Sequence, residues 1–98
     1  MKSISYKSGL LKRLADPRYA AGYLTECWEE GEPEFLLGLR DVVEANGGVG
    51  QVAKLAKLNR ESLYRLLSKN GNPRLSSLAN ILSGLGIDLQ FAPRAQAA

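Results

Sequence analysis

VGQVAKLAKLNRESLYRLLSK, residues 49–69, divides into two short amphipathic stretches on either side of Asn59. In the first, Val49, Val52, Ala53 and Ala56 recur at the three- and four-residue spacing of one helix face. Asn59 then restarts the chain, because its side-chain oxygen can accept from the free amides that open a helix. In the second stretch Leu63, Leu66 and Leu67 fall on the inner side, while Arg60, Glu61, Tyr64 and Arg65 fall on the outer. The spacing predicts two helices joined by a tight turn, with a polar face on the second. A pair of this kind is the helix-turn-helix, whose second helix enters a major groove of DNA.

The flanking chain reads as support for that pair. Downstream, Asn70-Gly71-Asn72-Pro73 is a dense turn signal, and Asn72 is biased away from helix by the proline after it. Leu75, Leu78, Ile81, Leu82 and Leu85 then form an apolar helical stripe, opened by Ser76 or Ser77 and stopped by Gly84 and Gly86. Ile87, Leu89 and Phe91 alternate with Asp88 and Gln90, a period of two that predicts a short strand ending at Pro93. Such a strand needs a partner, either the segment Ser3 to Lys7 or the same strand of a second subunit.

Upstream, Asp16-Pro17 and Glu32-Pro33-Glu34 are two helix starts, each with an acidic residue at or near the cap and proline where no amide donor is needed. The first helix should run to about Glu30 and end at a left-handed Gly31. Tyr19, Ala20, Tyr23, Leu24, Cys27 and Trp28 give it an apolar stripe, and Cys27 and Trp28 are assigned to the core. The second carries Phe35, Leu36, Leu39, Val42 and Val43 and stops at Asn46-Gly47-Gly48. The fold class expected is therefore all-α, a five-helix domain with a short C-terminal β-strand. Residues 1–15 are expected to be a flexible basic arm, residues 16–92 a single domain, and residues 93–98 a disordered tail.

Composition narrows the chemistry. The chain of 98 residues is long enough for one core and too short for two. With no histidine and one cysteine, it holds no His-dependent triad, no Cys/His zinc site and no internal disulfide. No Gly-rich phosphate loop follows a strand, so neither an enzyme nor a cofactor or metal site is expected. No apolar run approaches the roughly 20 residues that span a bilayer, and no signal peptide is evident at the N-terminus. The protein is expected to be cytoplasmic, without a membrane partner.

The net charge of +3 conceals a division. Residues 16–46 hold eight acidic side chains against two basic ones, whereas residues 49–74 hold six basic against Glu61 alone. A cationic face beside an anionic one implies partners of opposite sign, one of them phosphate backbone.

The run RESLYRLLSKNGNPRLSSLANILSGLG, residues 60–86, resembles the HigA-like addiction module antidotes, which carry a lambda-repressor-like DNA-binding domain. The acidic EEGEPEFLLGLRDVV before it and the alternating GIDLQF after it extend the resemblance over residues 16–92. The resemblance implies a dimeric antitoxin that neutralises a small basic toxin of the RelE or ParE kind and represses its own operon. It also implies a recognition helix over Arg60 to Ser68. One departure stands at Lys57, where glycine is common in the turn; a left-handed lysine costs about 1 kcal/mol there.

These readings name two sets of residues. For double-stranded operator DNA, Arg60 and Arg65 can make bidentate contacts to guanine edges, Glu61 can accept from cytosine, and Tyr64 can meet a phosphate or a thymine methyl. Asn59, Ser62, Lys69, Asn72 and Arg74 suit phosphate, which fixes register without reading sequence. For the basic toxin, the candidates are Glu26, Glu29, Glu30, Glu32 and Glu34. A stand-alone or phage-like transcriptional regulator without a toxin partner is the alternative, and a protein-binding adaptor with no DNA affinity is a third.

Overall fold

A computed structural model describes residues 2–95 and contains six helices and no strand among them. They are α1 (Lys2–Leu14), α2 (Pro17–Glu30), α3 (Glu32–Ala45), α4 (Gly48–Ala56), α5 (Arg60–Leu66) and α6 (Leu75–Gly84). The all-helical class stands; the five-helix count and the strand do not.

The additional helix is α1, formed by the stretch expected to be an arm. Leu10 and Leu14, one turn apart, are buried in the core. Two polar contacts tie α1 to α3: Lys7 Nζ lies 3.3 Å from a Glu44 carboxylate oxygen, and Asn46 Nδ2 donates to the Leu14 carbonyl at 3.4 Å. No sequence-local cap announces this helix. Its ties to α3 come from partners more than thirty residues away, and Arg13 Nε donates to the Tyr19 hydroxyl of α2 at 3.2 Å.

The strand fails for want of a neighbour. The chain leaves α6 through Gly86 at φ 79°, and the Ile87 amide donates back to the Leu82 carbonyl at 2.8 Å. Ile87 packs on the core, but Leu89 and Phe91 lie exposed in irregular chain, Phe91 at 88%. Its candidate partner, Ser3 to Lys7, is part of α1 and offers no free edge. Of the tail, residues 96–98 lie outside the described residues.

The expected starts of α2 and α5 are present as cap hydrogen bonds. Asp16 Oδ1 accepts from the Arg18 amide at 2.9 Å, and Asn59 Oδ1 accepts from the amides of Glu61 and Ser62 at 2.8 and 3.2 Å. α6 begins differently, after Arg74 and without a side-chain cap, so neither Ser76 nor Ser77 opens it. Gly31 separates α2 from α3 at φ 143° and ψ 166°, not in the left-handed helical region but in one open essentially to glycine alone.

One hydrophobic core draws on every helix. Leu14, Leu39, Val42, Val43, Val52, Leu63 and Ile81 are its largest fully buried side chains. The most extensive pairings are α2 on α3 and α4 on α6. Three residues of the helical apolar stripes, Tyr19, Trp28 and Leu75, are exposed outside the core. Trp28 is 57% exposed and Leu75 67% exposed, because each stripe is wider than the face its helix presents to its neighbours.

Candidate functional site

The α4–α5 pair turns at Lys57, which caps α4 in the left-handed conformation, φ 57° and ψ 40°. It is the one non-glycine residue with positive φ among those described. The Lys57 and Leu58 amides donate to the carbonyls of Lys54 and Ala53 at 3.2 and 2.9 Å, which closes the end of α4. Two residues later Asn59 opens α5, so the reversal is compact. Val52, Ala53 and Ala56 of α4 and Leu63 and Leu67 at α5 are buried together in the core.

That packing fixes what α5 turns outward. Arg60, Glu61, Tyr64 and Arg65 are exposed, with Tyr64 at 70%, and Ser62 is half-buried. Glu61 and Arg65, one turn apart, form no ion pair in the structure; the two ion pairs among the described residues lie elsewhere, Lys7–Glu44 and Arg18–Asp16. Both side chains therefore remain available to a ligand. Arg60 lies over Gly50 of α4, its Nε 4.0 Å from where a Cβ on that glycine would sit.

α5 ends at Leu66, two residues short of the expected Ser68. The Ser68 hydroxyl donates to the Arg65 carbonyl at 2.6 Å and so satisfies a carbonyl of the last turn. Lys69, Asn72 and Arg74 follow on the connection to α6, all exposed. Gly71 is required in that connection because a Cβ there would overlap the Leu66 carbonyl.

A cleft of about 430 Å³ opens beside α5 and adds a residue that the sequence reading missed. Val43, Val49 and Leu67 contribute apolar lining, and Arg40, Tyr64 and Lys69 supply polar groups around it. Arg40 belongs to the acidic segment and was counted there only as one of two bases. Its signal was positional: it sits three residues before the buried Val43 on α3, the helix that packs against α4.

The acidic candidates gather at the other end of α3. Glu29 and Glu30 close α2, Glu32 and Glu34 open α3, and Glu26 lies one turn back. Glu26, Glu29, Glu30 and Glu32 are exposed and Glu34 is half-buried. None of the five is ion-paired among the described residues. Trp28, exposed in their midst, meets Phe35 edge to face with ring centroids 5.7 Å apart. Along α3 the corner at Glu32 and Glu34 and the nearest cleft residue, Arg40, are separated by roughly 9 to 12 Å, at about 1.5 Å per residue.

Between them, α2 and α3 are joined by a part-buried polar contact. The Tyr23 hydroxyl donates to Asp41 Oδ2 at 2.8 Å. Burial, then that bond and the carboxylate charge, push the Tyr23 pKa upward. Cys27 is half-buried against α3 at Gly38. Burial and the nearby Glu30 carboxylate raise its thiol, which disfavours the thiolate.

The described residues contain no cluster of metal-ligating side chains. No helix among them is long and apolar enough to cross a membrane.

A family model described as "Probable addiction module antidote protein" matches residues 6–93. The chain belongs to that antidote family. An uncharacterized protein of Haemophilus influenzae is 33% identical over 69 residues, which cover 69% of this chain and 70% of that protein. No solved structure matches the chain. An addiction module antidote implies a toxin as its partner.

Proposed function

We propose that the protein is the antitoxin of a type II toxin–antitoxin module, neutralising a RelE- or ParE-like toxin and repressing its own operon. In this reading residues 16–92 act as a lambda-repressor-like domain of the HigA kind, α4 and α5 are its helix-turn-helix, and a homodimer reads a two-fold operator. The observation that carries the DNA half is the outer face of α5: four polar side chains, Arg60, Glu61, Tyr64 and Arg65, stand exposed on a helix anchored by buried Leu63. Among the described residues none of the four side chains forms an ion pair.

Arg60 and Arg65 read guanine edges, Glu61 accepts from a cytosine amino group, and Tyr64 meets a phosphate or thymine methyl. Asn59 has one amide oxygen committed to its cap, which leaves its amide nitrogen for phosphate. Ser62, Lys69, Asn72 and Arg74 take the remaining backbone contacts, and Arg40 joins them across the cleft. Glu26, Glu29, Glu30, Glu32 and Glu34 face the toxin. The protein is not an enzyme in this reading and needs no cofactor.

The test is a gel shift with the DNA upstream of the protein's own gene. Arg65→Ala should weaken specific binding by ~1 to 3 kcal/mol and relax base preference at one operator position. Equal losses on operator and random DNA would contradict base reading. For the toxin half, the product of the adjacent gene should co-purify with the protein, and co-expression should restore growth of cells producing that gene product alone.

A further inference from the structure

The α2–α3 corner carries two features that folding leaves unexplained. Trp28 is 57% exposed, and its ring meets half-buried Phe35 edge to face. A ring of that size forgoes favourable transfer out of water when it is left uncovered. Glu29 and Glu30 in the last turn of α2 oppose the helix dipole, and they remain unpaired among the described residues.

An aromatic anchor surrounded by unpaired carboxylates has the layout of an interface, with an apolar centre and a charged rim. The sign of the rim selects the occupant. A second copy docked here by two-fold symmetry would set like carboxylates against one another, and DNA would be repelled. A basic protein is attracted, and arginine is favoured further because its guanidinium stacks on an indole face.

Resting on the antitoxin reading above, we propose that Trp28 and Phe35 are the anchor by which the protein grips its toxin. The toxin then presents an apolar pocket flanked by lysine or arginine side chains that meet Glu29, Glu30, Glu32 and Glu34.

The test is titration calorimetry of the full-length protein with the purified product of the adjacent gene, at low and at high salt. Trp28→Ala should lower affinity about tenfold or more. The double variant Glu29→Gln/Glu30→Gln should weaken binding at low salt and flatten its salt dependence, an effect that a merely structural role does not produce. Both variants should keep a single cooperative melting transition, raised slightly in the glutamine pair by relief of the opposed helix dipole, and both should keep the operator gel shift. Because Trp28 is the one tryptophan, fluorotryptophan labelling gives a single fluorine resonance, which should move when the toxin is added. Should the variants bind within about twofold of wild type, or the resonance stay fixed in a complex that forms, the anchor is refuted and the antitoxin reading survives. If wild-type protein does not bind the adjacent gene product, both fall together.

Discussion

Two side chains show how much single residues decide in this small fold. Lys57 holds φ 57° because the α4–α5 reversal needs a left-handed residue there, and a Cβ makes that conformation costly. Lys57→Gly should therefore stabilise the protein by ~0.5 to 1 kcal/mol, net of the greater freedom glycine gives the unfolded chain. Chemical denaturation checks this, and a β-branched replacement such as Lys57→Val should move the midpoint the other way. Tyr23 acts through protons. Its pKa lies above its ordinary 10.0 and that of Cys27 above its ordinary 9.0, so the unfolded chain releases both protons first as pH rises. The folded state then binds more protons, and stability must fall with increasing pH from the region of pH 9.0 upward. Tyr23→Phe should cost ~1 kcal/mol at neutral pH by removing the bond to Asp41 and should flatten the decline above pH 10.0. Denaturation midpoints across that range measure both effects.

At the scale of elements, what the sequence made legible was whatever is specified locally. Asp16 and Asn59 cap the helices they precede, and buried Leu63 and Leu67 fix the orientation of α5. Elements that depend on distant partners were not legible in this way. α1 lacks a cap signal and is held by Leu10 and Leu14 in the core and by the Asn46 amide. Ile87 to Phe91 has the alternation of a strand but no edge to pair with, and alternation without a partner leaves extended coil. Trp28 and Leu75 show a third limit, since helical spacing shows which residues share a face but not how much of that face is covered. A consequence separates a packed helix from an arm. Deleting residues 1–15 should expose the core surface that Leu10 and Leu14 cover and abolish the cooperative melting transition. Leu14→Ala alone should cost ~2 to 5 kcal/mol by thermal denaturation. A true arm would be removable with little effect on either measurement.

At the scale of the whole molecule, α3 connects two surfaces of opposite charge. Its N-terminal turn carries Glu32 and Glu34, while Arg40 and Glu44 in its C-terminal half line the cleft beside α5. Arg40, the cleft residue nearest that turn, lies roughly 9 to 12 Å along the helix from Glu34 and Glu32, slightly more than the Debye length of about 8 Å at physiological ionic strength. Each surface should therefore respond to its own partner with little crosstalk through charge alone. The dependence of DNA affinity on salt tests this division together with the role of the cleft. If Arg40 and Lys69 both meet phosphates, each alanine variant should lower the slope of log affinity against log salt by ~0.9. Both should weaken operator and random DNA alike, in contrast to Arg65→Ala, whose loss falls mainly on the operator. The Glu29→Gln/Glu30→Gln variant should leave that slope close to the wild-type value, because those carboxylates end α2, beyond the first turn of α3, and salt screens them from the cleft. A slope unchanged by Arg40→Ala would remove the cleft from the DNA interface, and a slope altered by the glutamine pair would show that the two ends of α3 act electrostatically as one surface.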